Sequence, residues 1–395
     1  MWWFFMKDMK SLGLKVLKQL NDAGYQAFFV GGYVRDQLLG MKSDDIDITT
    51  NALPEDIESI FNHTAATGKK YGTITVFIDD TGFEVTTYRI DQDYKNHRQP
   101  ESVKFSQKLK DDLIRRDFTM NALAQDKDGE IYDFFDGKTD IKNHMIRAID
   151  DPDKRFKEDA LRILRALRFV GKLGFDIEDK TLNAMKNDVG LLNKIPTERI
   201  IKELDQILSQ KHTDRIYKLM NDIKLDKAFK SFAYVLPYIK NKDLSLPLES
   251  FFALSIYPKG KIDTSKWRFS NAQVTKIETL AYIMNLLMES RLTPLICYNY
   301  EEVMLLEADR LLDAFFDYQS QSDKIKYLYK HLVIKSYDDL DVSGHDLKKL
   351  VNNDKQVGEI LNQLIKEVLL EKTNNSKQDL LERAKQIMEE HSGRN

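Results

Sequence analysis

Two aspartates separated by one residue, Asp45 and Asp47 in the run DIDI, are the side chains best spaced for chemistry on phosphate. In an extended segment alternate residues share a face, so both carboxylates project one way and Ile46 and Ile48 the other. Carboxylates held side by side repel unless a cation sits between them, and Mg²⁺ binds such oxygens while keeping positions for phosphate. Metals bridged in this way would activate an attacking hydroxyl and stabilise a leaving pyrophosphate. Upstream, Gly31 and Gly32 let backbone amides approach a triphosphate, and a helix starting there adds its positive end. Arg35 offers a further phosphate contact. A bare D-x-D is more often a solvated turn. A Gly-Gly turn, Arg-Asp, Leu-Gly and D-x-D within Gly31–Thr50 form a much more specific set. Glu84 is a candidate third carboxylate, although an ion pair with Arg89 is the expected arrangement.

A second set lies near residue 160. Asp159 and Arg162 are three apart on a predicted helix and would share a face. Cytosine and adenine each present an amino donor beside a ring acceptor, which a carboxylate next to a guanidinium complements. Uracil and guanine place an N–H at that ring position, facing the arginine donors. Mispairing such buried groups costs about 1–3 kcal/mol each, enough to support strong discrimination. Arg165 and Arg168 continue the spacing, drifting about 60° per step. Arg165 is therefore a nucleotide contact and Arg168, expected nearly opposite Asp159, a weaker one. The alternative is a solvated arginine face paired with Glu158. In RRDFTMN, Arg116 is placed to contact phosphate or sugar. Asp117 and Asn121 either hold a ribose, whose 2′-OH needs such a partner, or Asp117 caps the next helix.

The elements that must position these groups change in texture along the chain. Up to about Asp150, helical stretches alternate with strand-like runs Ile74–Ile78, Phe83–Ile90 and Glu130–Phe135, separated by turns at Asp80–Gly82, Asp128–Gly129 and Asp136–Gly137. Beyond it the pattern is helical, and Gly171 and Gly174 stop the helix that carries LRILRALRFV. The spacing predicts an α+β head over 1–150, then an all-α neck over 151–208, a body over 209–285 and a tail over 286–395. Pro196 and Lys240–Ser250 mark joints. Glu198–Lys202 and Arg199–Glu203 are predicted i,i+4 pairs that brace the neck.

Composition removes several classes. The 395 residues carry a formal net charge of −3, so any RNA binding must come from local basic patches; of the C-terminal lysines Lys348, Lys349 and Lys355, some could touch a phosphate backbone by charge and most are expected to be plain surface. One cysteine, Cys297, rules out an intramolecular disulfide framework, and seven scattered histidines offer no zinc spacing. No run is long enough to cross a bilayer, and MWWFFM lacks the features of a signal peptide. A cytoplasmic protein that does not engage a membrane is expected. Gly68-Lys69-Lys70 lacks the rest of a P-loop, and His345-Asp346 lacks the further ligands of a metal phosphohydrolase.

With these residues in place, the chain resembles the class II bacterial tRNA nucleotidyltransferase and poly(A) polymerase family. Besides Gly31–Thr50, the matching segments are EVTTYR from Glu84, the loop from Asp93 to Phe105, RRDFTMNA from Arg115, DFFDG from Asp133, Glu158-Asp159-x-x-Arg162, and TERI from Thr197 with Glu203-Leu204. VSGHDL from Val342 is a less specific match. Gln99 departs from the basic residue or histidine expected in the loop. The resemblance implies a polymerase-β-like head with a mixed sheet. It also implies Mg²⁺ on Asp45 and Asp47, ATP and CTP as substrates, and stepwise addition of C, C and A to the 3′ end of tRNA without a template. Gly32, Arg35, Arg116, Asp159, Arg162, Arg165 and Arg168 would face the nucleotide. The competing expectations are a poly(A) polymerase, an A-adding or CC-adding relative, and a non-catalytic RNA-binding protein. The sequence leaves a homodimer open.

Overall fold

The computed structural model describes residues 9–392 apart from 44, 95–99, 258–260, 262, 290 and 352. The WWF run and the loop residues His97, Arg98 and Gln99 lie outside the described residues. The chain forms two compact units, Met1–Leu248 with Ser265–Arg268, and Glu249–Thr264 with Phe269–Asn395.

In the first unit a seven-stranded mixed sheet forms the head. Its strands are β1 (Ala27–Val30), β2 (Asp47–Thr50), β3 (Thr64–Gly68), β4 (Thr73–Ile78) and β5 (Thr81–Thr87). A separate hairpin, β6 (Arg89–Tyr94) and β7 (Pro100–Phe105), precedes the last two sheet strands, β8 (Leu123–Gln125) and β9 (Ile131–Asp133). The spatial order is β3-β4-β5-β2-β1-β8-β9. Within this sheet β2 and β5 are the one parallel pair among the described residues, with Asp47 in register with Glu84, whereas Val30 of β1 faces Asp47 across an antiparallel pair. The central strands are AFFV and DITT. Phe29, Val30 and Ile48 are each about 1% exposed, and burying such side chains contributes roughly 1.5–3 kcal/mol apiece. The buried Thr49 and Thr50 hydroxyls donate to the Thr86 and Gln26 carbonyls at 3.1 and 2.6 Å. Helix α1 (Met9–Asp22) covers the sheet with Val16, Leu17 and Leu20.

After β1 the chain turns at Gly31 into a short helix, α2 (Gly32–Leu38). Gly31 has φ 72°, and a Cβ there would lie 2.9 Å from Arg116. Glycine is required on both counts. Helix α3 (Leu109–Ile114) packs Leu109 and Leu113 with Phe28, Val30 and Tyr88 into a buried cluster.

The neck begins with α4 (Pro152–Glu158) and α5 (Leu161–Leu173), separated by Asp159 in an extended conformation, φ −144° and ψ 101°. Asp159 and Arg162 therefore do not share one helix, contrary to the sequence expectation. Helix α5 packs on α6 (Thr197–Leu208) and α7 (Thr213–Asp222). It ends on Gly174 at φ 69°, as the glycine pattern predicts.

The second unit is helical where described. Its helices include Asn271–Met288, Glu302–Phe315, Asp354–Leu369 and Lys377–Ser392. A core around Leu347, Leu364, Leu380 and Ala384 binds the C-terminal helices together. Asp346 closes a capping box with Ser343 and pairs with Lys377 at 2.9 Å, so the His345-Asp346 dipeptide is structural in its acidic half. Among the described residues no helix is long and apolar enough to cross a membrane.

Candidate active site

A cavity of about 680 Å³ in the first unit is lined by Gly31, Gly32, Arg35, Asp45, Asp47, Arg116, Asp117, Asn121, Asp159, Arg162, Arg165 and Arg168. The site residues expected from the sequence, apart from the candidate Glu84, thus line one cavity. Asp47 opens β2, while Asp45 lies in the irregular segment just before it. The strand is shorter than DIDI suggests, yet the two carboxylates stay close enough to act on each other. Burial pushes the Asp47 carboxyl above its usual range; Arg116 opposes this, and like charge on Asp45 and Glu84 adds to the rise. A carboxylate crowded by two others is the environment that a divalent cation relieves. Among the described residues no set of three acidic, histidine or cysteine ligands converges. The pair therefore fits a cation whose remaining positions are completed by phosphate and water. Glu84 does not pair with Arg89 as expected. Arg89 instead lies 3.4 Å from Asp91 and donates to the Tyr71 carbonyl.

The glycine turn behaves differently from its sequence reading. The Gly31 amide donates to the Leu123 carbonyl at 3.4 Å, and α2 is only two turns long. Arg35 is 3% exposed. Its Nε and Nη2 donate to Asp36 at 2.8 and 2.6 Å, and its Nη1 donates to Asn121 at 2.5 Å. It is an interior strut with its edge on the cavity rather than an uncommitted phosphate ligand. Arg116 is better placed for an anion. It approaches Asp112 at 3.4 Å, while its buried Nε has no hydrogen-bond partner.

Asp117 and Asn121 are bonded to each other, Asn121 Nδ2 donating to Asp117 Oδ1 at 2.9 Å. Asp117 also accepts from the Phe118 amide at 2.8 Å and from Arg165 at 2.7 Å. Burial alone would raise its carboxyl, but Arg165, Asn121 and the Phe118 amide outweigh burial and hold it well below the usual range. Arg168 pairs with Glu203 at 2.9 Å. The guanidinium carbons of Arg35, Arg165 and Arg168 lie 5.0, 5.5 and 4.8 Å from the Phe169 ring centre, a cation–π hub. Arg168 lines the cavity rather than pointing away from Asp159, because Asp159 is outside the helix and no helical drift relates the two.

Arg162 is 8% exposed. Its Nη1 donates to the Arg155 carbonyl and Glu158 at 2.9 and 3.0 Å, and its Nη2 to the Arg115 carbonyl at 2.8 Å. The pairing with Glu158 that the sequence offered as an alternative is present. The guanidinium that meets Asp159 belongs to Arg199, at 2.8 Å. Sequence spacing pairs Arg199 with Glu203; in the structure Arg199 pairs with Asp159 and Glu203 with Arg168. Lys172, Asp36 and Phe169 were likewise missed, although α5's three-residue cationic spacing runs close to the first and last.

Cationic groups outnumber carboxylates around this cavity, and two carboxylates crowd its head side. Such a site, on a mixed sheet with paired aspartates opening a central strand, defines a nucleotidyltransferase. Residues 27–147 match the description Poly A polymerase head domain, 174–241 a probable RNA and SrmB-binding site of polymerase A, and 263–384 tRNA nucleotidyltransferase domain 2. The CCA-adding enzyme of Ligilactobacillus salivarius is 36% identical over 390 residues, covering 95% of this chain and 96% of the relative. That of Staphylococcus aureus (strain MRSA252) is 42% identical over 287 residues, 69% and 68% of the two chains. A crystal structure of the Bacillus stearothermophilus CCA-adding enzyme in complex with CTP matches with a TM-score of 0.78 at 30% identity, over 98% of this chain and 100% of that one. The chain belongs to the family of CCA-adding enzymes.

Proposed function

We propose that the protein adds C, C and A stepwise to the 3′ end of tRNA, taking CTP and ATP and releasing pyrophosphate without a nucleic-acid template. The observation that carries this reading is one cavity holding the crowded Asp45 and Asp47 beside Asp159 and an array of arginines. The RNA 3′-hydroxyl attacks the α-phosphate in line, and the bond to pyrophosphate breaks. Mg²⁺ held by Asp45 and Asp47 would supply hydroxyl activation and charge neutralisation. Arg116, whose side chain is 18% exposed on the cavity wall, binds phosphate oxygens, and Gly31 and Gly32 leave room beside it. Asp159 accepts the amino group common to cytosine and adenine, with Arg162 at the same wall. Asp117, Asn121, Arg165 and Arg168 set the shape against which sugar and base rest.

By role, residues 1–150 form the catalytic head, 151–208 the base-selecting neck, 209–285 the body and 286–395 a tail that contributes to tRNA binding. We place the enzyme in the cytoplasm with its tRNA substrates.

A tRNA transcript lacking CCA, incubated with each labelled nucleotide alone and in pairs, tests the reading. Two C and then one A, ending there, is the expected product. A long A ladder formed without CTP would assign the protein to the poly(A) polymerases instead. Asp45→Ala should reduce transfer by about 10³-fold or more while leaving the unfolding midpoint unchanged. Chelation by EDTA should have the same effect, and activity surviving either treatment counts against the metal role.

A further inference from the structure

Asp159 is the carboxylate best placed to choose a base, and its backbone makes it hard to hold still. It sits in the extended link between two helices, where no helical neighbour restrains its side chain. One oxygen, Oδ1, caps α5 by accepting the Leu161 amide at 3.1 Å. A single such bond leaves a carboxylate free to turn about it. Arg165, close enough to feel its charge, offers an alternative partner.

The second restraint comes from α6. Arg199 sends Nη2 to Oδ2 at 2.8 Å and Nη1 to Oδ1 at 3.4 Å, a forked contact that fixes the plane of the carboxylate. Both residues line the cavity and both stay partly exposed, 28% for Arg199 and 18% for Asp159. Arg162 cannot take this part, because three of its donors go to Glu158 and two backbone carbonyls. A carboxylate has about four lone-pair sites. With three occupied by Leu161 and Arg199, one acceptor remains, and its direction is set by the fork. We infer that Arg199 is a positioning residue for base choice: it orients Asp159 so that its remaining acceptor meets an amino donor, and it presents its own N–H groups alongside. Uracil and guanine oppose a carbonyl oxygen to that fixed acceptor and gain nothing from it. A carboxylate able to rotate away would penalise them less. Orientation of this kind acts through preorganisation rather than added attraction.

The inference rests on the proposed CCA addition, and its test keeps the two separable. Wild-type, Arg199→Ala, Arg199→Lys and Asp159→Ala enzymes are compared with each of the four nucleoside triphosphates, on transcripts ending before C, after C and after CC. For Arg199→Ala the preference for C over U and for A over G, as ratios of kcat/KM, should fall by about ten- to a hundredfold. Arg199→Lys keeps the charge without the fork and should recover part of the preference. In an Asp159→Ala background, Arg199→Ala should change the ratios no further. A merely structural role would slow all four nucleotides alike and leave the ratios at the wild-type value, which would overturn the inference. Should Arg199→Ala fail to fold, as judged by its thermal transition, Arg199→Lys carries the same comparison. Wild-type enzyme that does not add C and A at all would defeat the functional reading instead.

Discussion

At the scale of single residues, the cavity separates side chains committed to structure from those left for a ligand. Asp117 belongs to the first group. Its folded carboxyl lies below the ordinary value of 3.8, so the ionised form is favoured in the folded protein. The sign follows from linkage: the stabilisation is complete above 3.8 and is lost as pH falls below it toward the folded value. Asp117→Asn removes the buried half of the pair, while Arg165, 35% exposed, keeps Glu203 nearby at 3.9 Å, so the change should cost about 1–2 kcal/mol at neutral pH. Urea unfolding at pH 7 and at pH 3 should show the gap between wild type and variant narrowing on the acid side. A gap independent of pH would mean that the ion pair is not its source. The sequence identified Asp117 and Arg165 as site residues from their motifs, but not as each other's partner. They are 48 positions apart, and no local periodicity reaches across that distance. Arg35 illustrates the reverse case: its motif was legible, yet whether its guanidinium faced a ligand or the interior depended on Asp36 and Asn121.

At the scale of elements, the neck helices show why position within a helix is not a matter of propensity alone. Gly171 lies inside α5, where alanine would ordinarily stabilise by about 1 kcal/mol. Here a Cβ would sit 2.4 Å from Ile216 Cδ1 and 2.7 Å from Gln210 Cβ, because α5 and α7 cross closely at that point. Gly171→Ala should therefore lower stability by about 1–3 kcal/mol, visible as a reduced thermal midpoint. A raised midpoint would show that α7 shifts freely to make room. The glycine's helix-stopping role was assigned from sequence to both Gly171 and Gly174, and only the second has it. A helix's own sequence does not encode how near its neighbour comes. The break at Asp159 has a local origin instead. The apolar pattern continues through it, and the interruption follows from the Leu161 amide being capped by the side chain two residues back.

At the scale of the whole molecule, a chain with formal net charge −3 must bind a polyanion through local fields. Nine cationic side chains face five carboxylates around the cavity. Binding of a tRNA transcript should accordingly be salt dependent, falling by about 10³-fold between 50 and 200 mM salt if some six phosphates are neutralised. A filter-retention titration across that range measures the slope, and a flat response would exclude a phosphate-dominated interface. Neither the bulk charge nor the overall hydropathy announces this property. It emerges when folding gathers arginines from 35 to 199 around one space.

The sequence by itself determined the class of chemistry and the order of the elements. Paired carboxylates, glycine turns and helical periodicity are local signals, written within a few residues of one another. The nucleotide-site side chains that the sequence nominated, Glu84 apart, line the cavity that the fold later assembled. Tertiary structure alone decided which of them are available. Whether an arginine serves a ligand or an internal carboxylate depends on partners tens of residues distant, and desolvation makes each buried charge take the nearest one. Arg199 reached Asp159 by that rule, and Arg162 was withdrawn by it.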